Sequence, residues 1–262
     1  MPLNIDLSGK RALVTGGGQN VGRGIARWLG DAGAEVLVND LVPDRAASVA
    51  DEIVGAGGRA LPTPFDVTDY DAVRSGFDTH GRVDILVNNA GNAGGTTLAG
   101  GFERQPFVDT TPDSWERYIR INFYGVMHCV HVALPAMIDA GWGRVVTIIS
   151  DAGRAGDVRM AAYAGAKAAA AGFTRTIARE VGRYAITANC IALGSMENRL
   201  PGMPEPTPEM RAAMDRMLKP YIVRRQGKPD DIAAMVCFLA SEWSSWVTGQ
   251  TIPVNGGYTL AL

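Results

Sequence analysis

Along this chain, short runs rich in Val, Ile, Leu and Ala alternate with stretches of helical periodicity. The pattern predicts strands at Ala12–Thr15, Glu35–Asn39, Ala60–Pro64, Ile85–Asn88, Arg144–Ile149, Ile186–Ile191 and Thr251–Val254. It predicts helices over Gly22–Ala32, Asp44–Gly55, Asp69–His80, Pro112–Ala140, Ala161–Tyr184 and Pro229–Ser241. Several runs are apolar at nearly every position, as strands covered on both faces are. Strand–helix–strand alternation returns to one sheet only by crossing over it, which gives parallel strands with helices on both faces. The expectation is an α/β chain with a doubly wound, seven-stranded parallel sheet. No linker or repeat divides it, so residues 1–262 read as a single domain.

Composition narrows the classes of partner. The chain is 47% hydrophobic and 20% charged, with a formal net charge of -2. That balance offers no electrostatic basis for nucleic-acid binding. The start, Met1-Pro2-Leu3-Asn4-Ile5-Asp6-Leu7, lacks a basic region and an apolar core, so no signal peptide is expected. No stretch reads as the roughly 18 apolar residues of a membrane helix. Cys129, Cys190 and Cys237 lie unpatterned among apolar neighbours. They read as buried thiols of a reducing compartment, and the expected location is the cytoplasm. His128 and His131 flank Cys129 on what reads as a helix, but the spacing fits packing better than a ligand set, so no metal is expected.

Three patterns carry chemistry. The first strand runs into Thr15-Gly16-Gly17-Gly18-Gln19-Asn20-Val21-Gly22 and then a helix. Such a glycine turn lets backbone N–H groups reach a pyrophosphate, which the helix N-terminus also attracts. Asp40 ends the second strand, where a carboxylate can accept from the ribose hydroxyls of an adenosine and repel a 2′-phosphate. No Arg or Lys lies in the turn or immediately after Asp40, so NAD(H) is expected over NADP(H). Tyr163 and Lys167 then stand at i and i+4, on one helix face. A nearby ammonium favours phenolate, so Tyr163 is expected to exchange protons well below its usual pKa of about 10. Ser150, at the end of the fifth strand, could hold a substrate oxygen at the same point.

These motifs, in this order, resemble the short-chain dehydrogenase/reductase family in its compact form, and are similar to its 3-oxoacyl-[acyl-carrier-protein] reductase-like members. The likeness covers nearly the whole chain and implies a Rossmann fold. It implies cofactor contacts from Gly16, Gln19, Asn20, Val21 and Gly22 in the turn and from Asp40. It implies further contacts at the Asp66-Val67 pair beside adenine and at Asn89, Ala90 and Gly91 of Asn88-Asn89-Ala90-Gly91. Gly194 and Met196 are implied on the nicotinamide side. Ser150, Tyr163, Lys167 and Asn122 fall on the family's catalytic serine, tyrosine, lysine and asparagine. Lys167 is also implied on the nicotinamide ribose, and Asn122 on a water leading to solvent. The closing strand resembles Gly249-Gln250-Thr251-Ile252-Pro253-Val254-Asn255-Gly256-Gly257. Asn20 departs from the second glycine of the turn, and Asn tolerates positive φ best among non-glycine residues. Leu193 departs from a usual Pro, and Asn198 from a usual Thr.

The implied activity is NAD-dependent interconversion of a secondary alcohol and a ketone, with Tyr163 as acid/base. A homotetramer built through the long helices at Pro112–Ala140 and Ala161–Tyr184 is implied as well. Two segments break the alternation: glycine-rich Asn92–Phe107, and Ser195–Lys228, rich in Pro and Met. The second reads as a substrate lid. Its methionines, with Leu200, Leu218 and Tyr221, predict an adaptable apolar pocket. Arg199, Arg211, Arg216, Lys219, Arg224 and Arg225 could meet the phosphates of a carrier thioester. A 3-oxoacyl/3-hydroxyacyl thioester therefore ranks first, then a steroid or alicyclic alcohol, then a polyol. A reading of another class, a non-catalytic NAD(H) sensor, would leave Ser150, Asn122, Tyr163 and Lys167 without a reason to occur together.

Overall fold

The computed structural model of the protein describes residues 5–92, 105–197 and 206–260. Seven parallel strands form one sheet in the order β3-β2-β1-β4-β5-β6-β7. They are β1 (Arg11–Val14), β2 (Glu35–Val38), β3 (Arg59–Pro62), β4 (Ile85–Asn88), β5 (Gly143–Ser150), β6 (Ile186–Leu193) and β7 (Thr251–Val254). Chain order reverses between β1 and β4, and in open α/β sheets ligands bind at that reversal, beyond the carboxyl ends of the strands.

The strands sort their side chains by parity. Ala12, Val14, Ile85, Val87, Val146 and Ile148 enter one buried cluster, with Ile25, Leu29, Val49 and Val236. Leu13, Leu86 and Val145 enter the other, with Phe77, Val130, Met137 and Val181. The first cluster packs α1 (Asn20–Asp31), α2 (Pro43–Gly55) and α9 (Pro229–Ala240) onto one face. The second packs α3 (Tyr70–His80), α5 (Gly125–Ala140) and α7 (Ala161–Val181) onto the other. A strand covered twice has no solvent side, so its sequence is apolar throughout.

Four features differ from the expectations drawn from the sequence. The stretch expected as one helix over Pro112–Ala140 is continuous, but α4 (Pro112–Ile119) passes into α5 through a π-turn at Arg120–Tyr124. By length and composition this 29-residue helix could cross a membrane, a stretch the sequence reading did not recognise. Here Val126, Cys129, Val130, Ala133 and Met137 pack it on the sheet. The segment expected as an irregular lid contains α8 (Pro208–Leu218). Thr207 caps it by accepting from the Met210 N–H, with Pro208 in the first turn. Between β5 and α7 lies one further short turn, α6 (Ala152–Ala155). Finally, β5 and β6 run to Ser150 and Leu193, which pair with each other. Their extra length carries Ser150 to the edge where β1 and β4 end.

Candidate active site

At the end of β1 the chain must turn sharply into α1, and the turn is fastened to β4. Thr15 Oγ1 accepts from the backbone N–H groups of Asn89 and Ala90, each at 3.0 Å. The Asn89 side-chain amide donates to the carbonyls of Thr15 and Gly16, at 2.9 and 3.0 Å. Gly16 has φ 61°, and a Cβ there would stand 3.0 Å from the Ala90 backbone. Asn20 opens α1 with φ 47°, a left-handed conformation that asparagine tolerates better than most residues. The turn is thus a cradle built of backbone, with the N-terminus of α1 behind it. Asn89, expected as a cofactor contact, has its amide committed to holding that cradle. Asn39, which the sequence reading passed over, does the same from β2: its amide donates to Thr63 and Phe65 carbonyls at 3.0 Å, and its Oδ1 accepts from Gly16 N–H at 3.4 Å.

Asp40 is buried beside the cradle. Its carboxylate accepts from Gly18 N–H at 3.2 Å and from Val42 N–H at 3.0 Å. A Cβ on Gly18 would lie 2.7 Å from Asp40 Oδ2, so only a bare backbone fits against the carboxylate. The expectation that no cation attends Asp40 is corrected by the fold. Arg45, on the first turn of α2, brings its Nε to 3.9 Å from Asp40 Oδ1. Arg45 is five residues beyond Asp40 in the chain, and the first turn of α2 brings it back to the carboxylate. Asp66 Oδ1 accepts from Thr68 N–H at 2.8 Å, and Val67 is buried against Gly125. His128 Nδ1 lies 2.9 Å from the Val67 carbonyl, and His131 Nδ1 2.8 Å from the Tyr70 hydroxyl. Among the described residues no three His, Cys, Asp or Glu side chains form a group that could hold a metal ion.

Ser150, Tyr163, Lys167 and Asn122 converge at the carboxyl edge of β4 and β5. The Ser150 hydroxyl lies near the Tyr163 phenol, where it favours the ionised form, and Ala152 N–H donates to Ser150 Oγ at 3.2 Å. Lys167 is buried one turn further along α7, and its ammonium donates to the Ile148 carbonyl at 2.9 Å. Asn122 is fully buried in the π-turn. Its amide donates to Asn92 and Tyr118 carbonyls at 2.9 and 3.0 Å, and its Oδ1 accepts from Asn92 N–H at 3.2 Å. π-Turns interrupt helices frequently at functional sites. Gly91 joins the two groups: an added Cβ would stand 2.7 Å from Asn122 Oδ1 and 3.1 Å from Lys167 Nζ.

Proton affinities correct one expectation. In the protein alone the Tyr163 phenol is raised from its ordinary value, first by burial and also by the charge of Asp157, while the nearby Ser150 hydroxyl opposes them. Lys167 Nζ turns to the Ile148 carbonyl and stands 5.9 Å from the Tyr163 ring centre. Burial brings Lys167 itself down to about 8. The i and i+4 spacing put both side chains on one face but did not determine where the ammonium points. The three cysteines are free and buried, and burial pushes Cys129 and Cys237 up to about 12.

On the lid side, a Cβ on Gly194 would meet Tyr221 and the Asn255 backbone, each at 3.0 Å. Met196 forms a bridge to Gly227. Arg225, one of the cations expected to serve a thioester phosphate, is held by Asp231 at 2.6 and 2.8 Å. Asn198, Arg199 and Leu200, with Gly94, Gly95, Gly100 and Gly101 of the glycine-rich loop, lie outside the described residues. A network that the sequence reading missed joins the loop after β5 to the tail. Buried Asp151 accepts from Arg154 and Thr259, each at 2.9 Å, and from Asn255 at 2.6 Å. The only local signal was Asp151 following Ser150; its partners are about a hundred residues away in the chain.

Comparison with known proteins gives this geometry a setting. The enoyl-(acyl carrier protein) reductase family model matches residues 16–259. The 7alpha-hydroxysteroid dehydrogenase of Escherichia coli K12 is 36% identical over 259 residues, 97% of this chain and 96% of that protein. The structure of a 3-oxoacyl-[acyl-carrier protein] reductase with bound NAD from Brucella melitensis superposes with a TM-score of 0.86 at 32% identity, over 98% of this chain and 95% of that one. A gluconate 5-dehydrogenase from Burkholderia cenocepacia J2315, in complex with NADP and tartrate, gives 0.85 at 32% identity, over 99% and 98% of the two chains.

The tight junction at Gly91 is testable by stability. Gly91→Ala must displace Asn122 or Lys167 and is expected to cost about 1–3 kcal/mol in urea denaturation. Gly165→Ala, in α7 with open space around the added methyl, is expected to gain about 0.5–1 kcal/mol. Equal effects of the two substitutions would contradict the packing described.

Proposed function

The chain belongs to the short-chain dehydrogenase/reductase family, and from that premise we propose that it interconverts a secondary alcohol and a ketone with NAD(H). The observation that carries the reading is the meeting of a partly buried phenol, a serine hydroxyl near it, a buried lysine and a buried asparagine beside a backbone cradle. The cradle fits a dinucleotide: a Cβ on Gly22 would overlap the Gly16 carbonyl, and one on Gly18 would overlap Asp40, so the backbone is bare where a pyrophosphate would approach. The turn from Gly16 to Gly22 would hold the pyrophosphate, Asp40 the adenosine ribose, Asp66 and Val67 the adenine. Ala90, Gly91, Gly194 and Met196 would flank the nicotinamide half. When bound, NAD(H) supplies the carbon that accepts or donates hydride.

The protein's own groups manage the proton. In oxidation, Ser150 donates to the substrate oxygen and steadies its developing charge, while Tyr163 as phenolate takes the alcohol proton. In reduction, Tyr163 as phenol returns it. Burial keeps the phenol protonated in the protein alone, which suits the reductive direction. Lys167, at about 8, is an ammonium at neutral pH. It stands with Asn122 at Gly91, where the two would link the phenol to solvent through water. We also infer a homotetramer assembled through α4–α5 and α7. Tyr124 and Met127 are exposed on the first of these, and Ala168, Ala169 and Gly172 would allow close approach on the second.

Removing the phenol hydroxyl tests the chemistry. Tyr163→Phe is expected to lower turnover by about a thousandfold while NADH still binds, read by nucleotide fluorescence. Near-normal turnover would refute the assignment. Cofactor choice has its own test, because Arg45 already stands beside Asp40. Asp40→Ser should let NADPH compete by uncovering Arg45, and Asp40→Ser with Arg45→Ala should not. Preference for NADPH in the unmodified protein would contradict the role given to Asp40.

A further inference from the structure

Tyr118 lies on the last turn of α4, outside the glycine turn and outside the group of Ser150, Tyr163, Lys167 and Asn122, yet it touches two members of that group. Its ring meets the Tyr163 ring edge to face, with centroids 6.3 Å apart and planes at 70°. Its carbonyl accepts from the Asn122 side-chain amide at 3.0 Å. Tyr118 is half-buried, and among the described residues its hydroxyl has no hydrogen-bond partner. The residue therefore engages the site through its ring and its backbone rather than its hydroxyl. Among the described residues it is also the one aromatic ring packed on Tyr163.

The start of α4 is fastened, which keeps this ring in place. Thr111 and Ser114 close a capping box at its first turn. Trp115, three residues before Tyr118 and on the same side of the helix, donates its Nε1–H to Thr110 Oγ1 at 2.7 Å and stacks on Phe107 with centroids 5.1 Å apart. Beyond Tyr118 the helix enters the π-turn that carries Asn122. The charged groups around Tyr163 are Asp157, from the loop after β5, and Lys167, from its own helix, with Nζ 5.9 Å from the ring centre. On α4, the Arg117 guanidinium stands 5.7 Å from the centre of the Tyr118 ring. A tyrosine hydroxyl ends a side chain that turns about two bonds, so it is placed only when its ring is placed. An acid/base must lie within hydrogen-bond reach of the proton it moves, and a displacement of about 1 Å costs much of the rate.

Resting on the alcohol–ketone reading, we propose that Tyr118 is a positioning residue for the acid/base: its ring braces the Tyr163 ring in the orientation that presents the phenol to the substrate oxygen, while its carbonyl holds the Asn122 amide. One turn of α4 thus ties Tyr163 to Asn122. The ring of Tyr118 also fills space beside Tyr163 that water would otherwise enter, and burial is the first cause of the phenol's raised proton affinity. Tyr118 acts only through Tyr163 and Asn122 and exchanges no proton itself.

The test follows steady-state oxidation with NAD⁺ across pH, using the best substrate from a set of secondary alcohols that includes 2-butanol and cyclohexanol. Tyr118→Leu should lower kcat by about tenfold, the order of one edge-to-face ring contact, with NADH binding by nucleotide fluorescence unchanged. Tyr118→Phe, which keeps the ring, should rescue kcat to within about threefold of the native protein. Tyr118→Ala, which also admits water, should move the rising limb of the kcat/KM profile to lower pH, because a solvated phenol ionises more readily. In the Tyr163→Phe background, Tyr118→Leu should cost less than about twofold, since its effect passes through the missing hydroxyl. Tyr118→Met, which fills the space without a ring, repeats the Leu measurements if that variant does not fold. Native kcat in the Leu variant would overturn the proposal, as would equal losses in Leu and Phe, which would assign the effect to the hydroxyl. The same fractional loss with and without the Tyr163 hydroxyl would overturn it too, because that is what a fold defect alone predicts. Each of these leaves the alcohol–ketone reading intact. No turnover of any alcohol or ketone by the native protein would defeat that reading, and the role given to Tyr118 with it.

Discussion

The junction between β1 and β4 is the constraint on which the rest of the site depends. One hydroxyl, Thr15 Oγ1, receives two backbone N–H groups from the end of β4, and one amide, Asn89, returns two hydrogen bonds to the turn after β1. Each of these groups is partly or wholly buried, so an unmade bond would leave an unsatisfied polar atom and cost about 1–3 kcal/mol. The clamp fixes the glycine turn against Ala90 and Gly91. Gly91 in turn has no side chain, and that absence makes room for Asn122 and Lys167. The glycine turn and the Tyr163–Lys167 site are thereby held together through Thr15, Gly16, Asn89, Ala90 and Gly91, which follow two adjacent strands.

The sheet order supplies the rest of the geometry. β5 lies beside β4 and is long enough to carry Ser150 past the clamp. α7 packs on β5 and β6, which brings Tyr163 over Ser150 and buries Lys167 against the Ile148 carbonyl. On the other flank, the π-turn rotates Asn122 inward, where its amide is fully satisfied. Burial then sets the chemistry: it makes the phenol reluctant to ionise and the lysine readier to lose its proton. Beside this site three segments distant in sequence, the loop after β5, the segment after β6 and the tail, meet at Asp157, Tyr221 and Tyr258.

What could be read from the sequence follows the range of the forces involved. Strands covered on both faces announce themselves by composition, as β1, β2, β4, β5 and β6 do, while edge strand β3 is mostly exposed. Residues at fixed spacing, such as Tyr163 with Lys167, could be placed on a shared face, but the direction of the ammonium depends on a carbonyl nineteen residues away. Helix α8 carried a readable signal, Thr207 followed by Pro208 and Glu209, of the same kind as Thr111-Pro112-Asp113, but the density of Pro and Met around it obscured the pattern. Arg45 was visible in the sequence and missed because a helix turn, not adjacency, brings it to Asp40. The Asp151 and Asp157 networks were out of reach, since their partners Asn255, Tyr258 and Thr259 are separated from them by about a hundred residues.

The most direct measurement follows the hydrogen itself. A secondary alcohol deuterated at the carbinol carbon is incubated with the protein and NAD⁺, and the nucleotide is analysed by mass spectrometry. The account predicts reduced nucleotide carrying one deuterium, formed together with the ketone. Reduced nucleotide without deuterium, or tight NADH binding with no exchange from any alcohol tried, would contradict it.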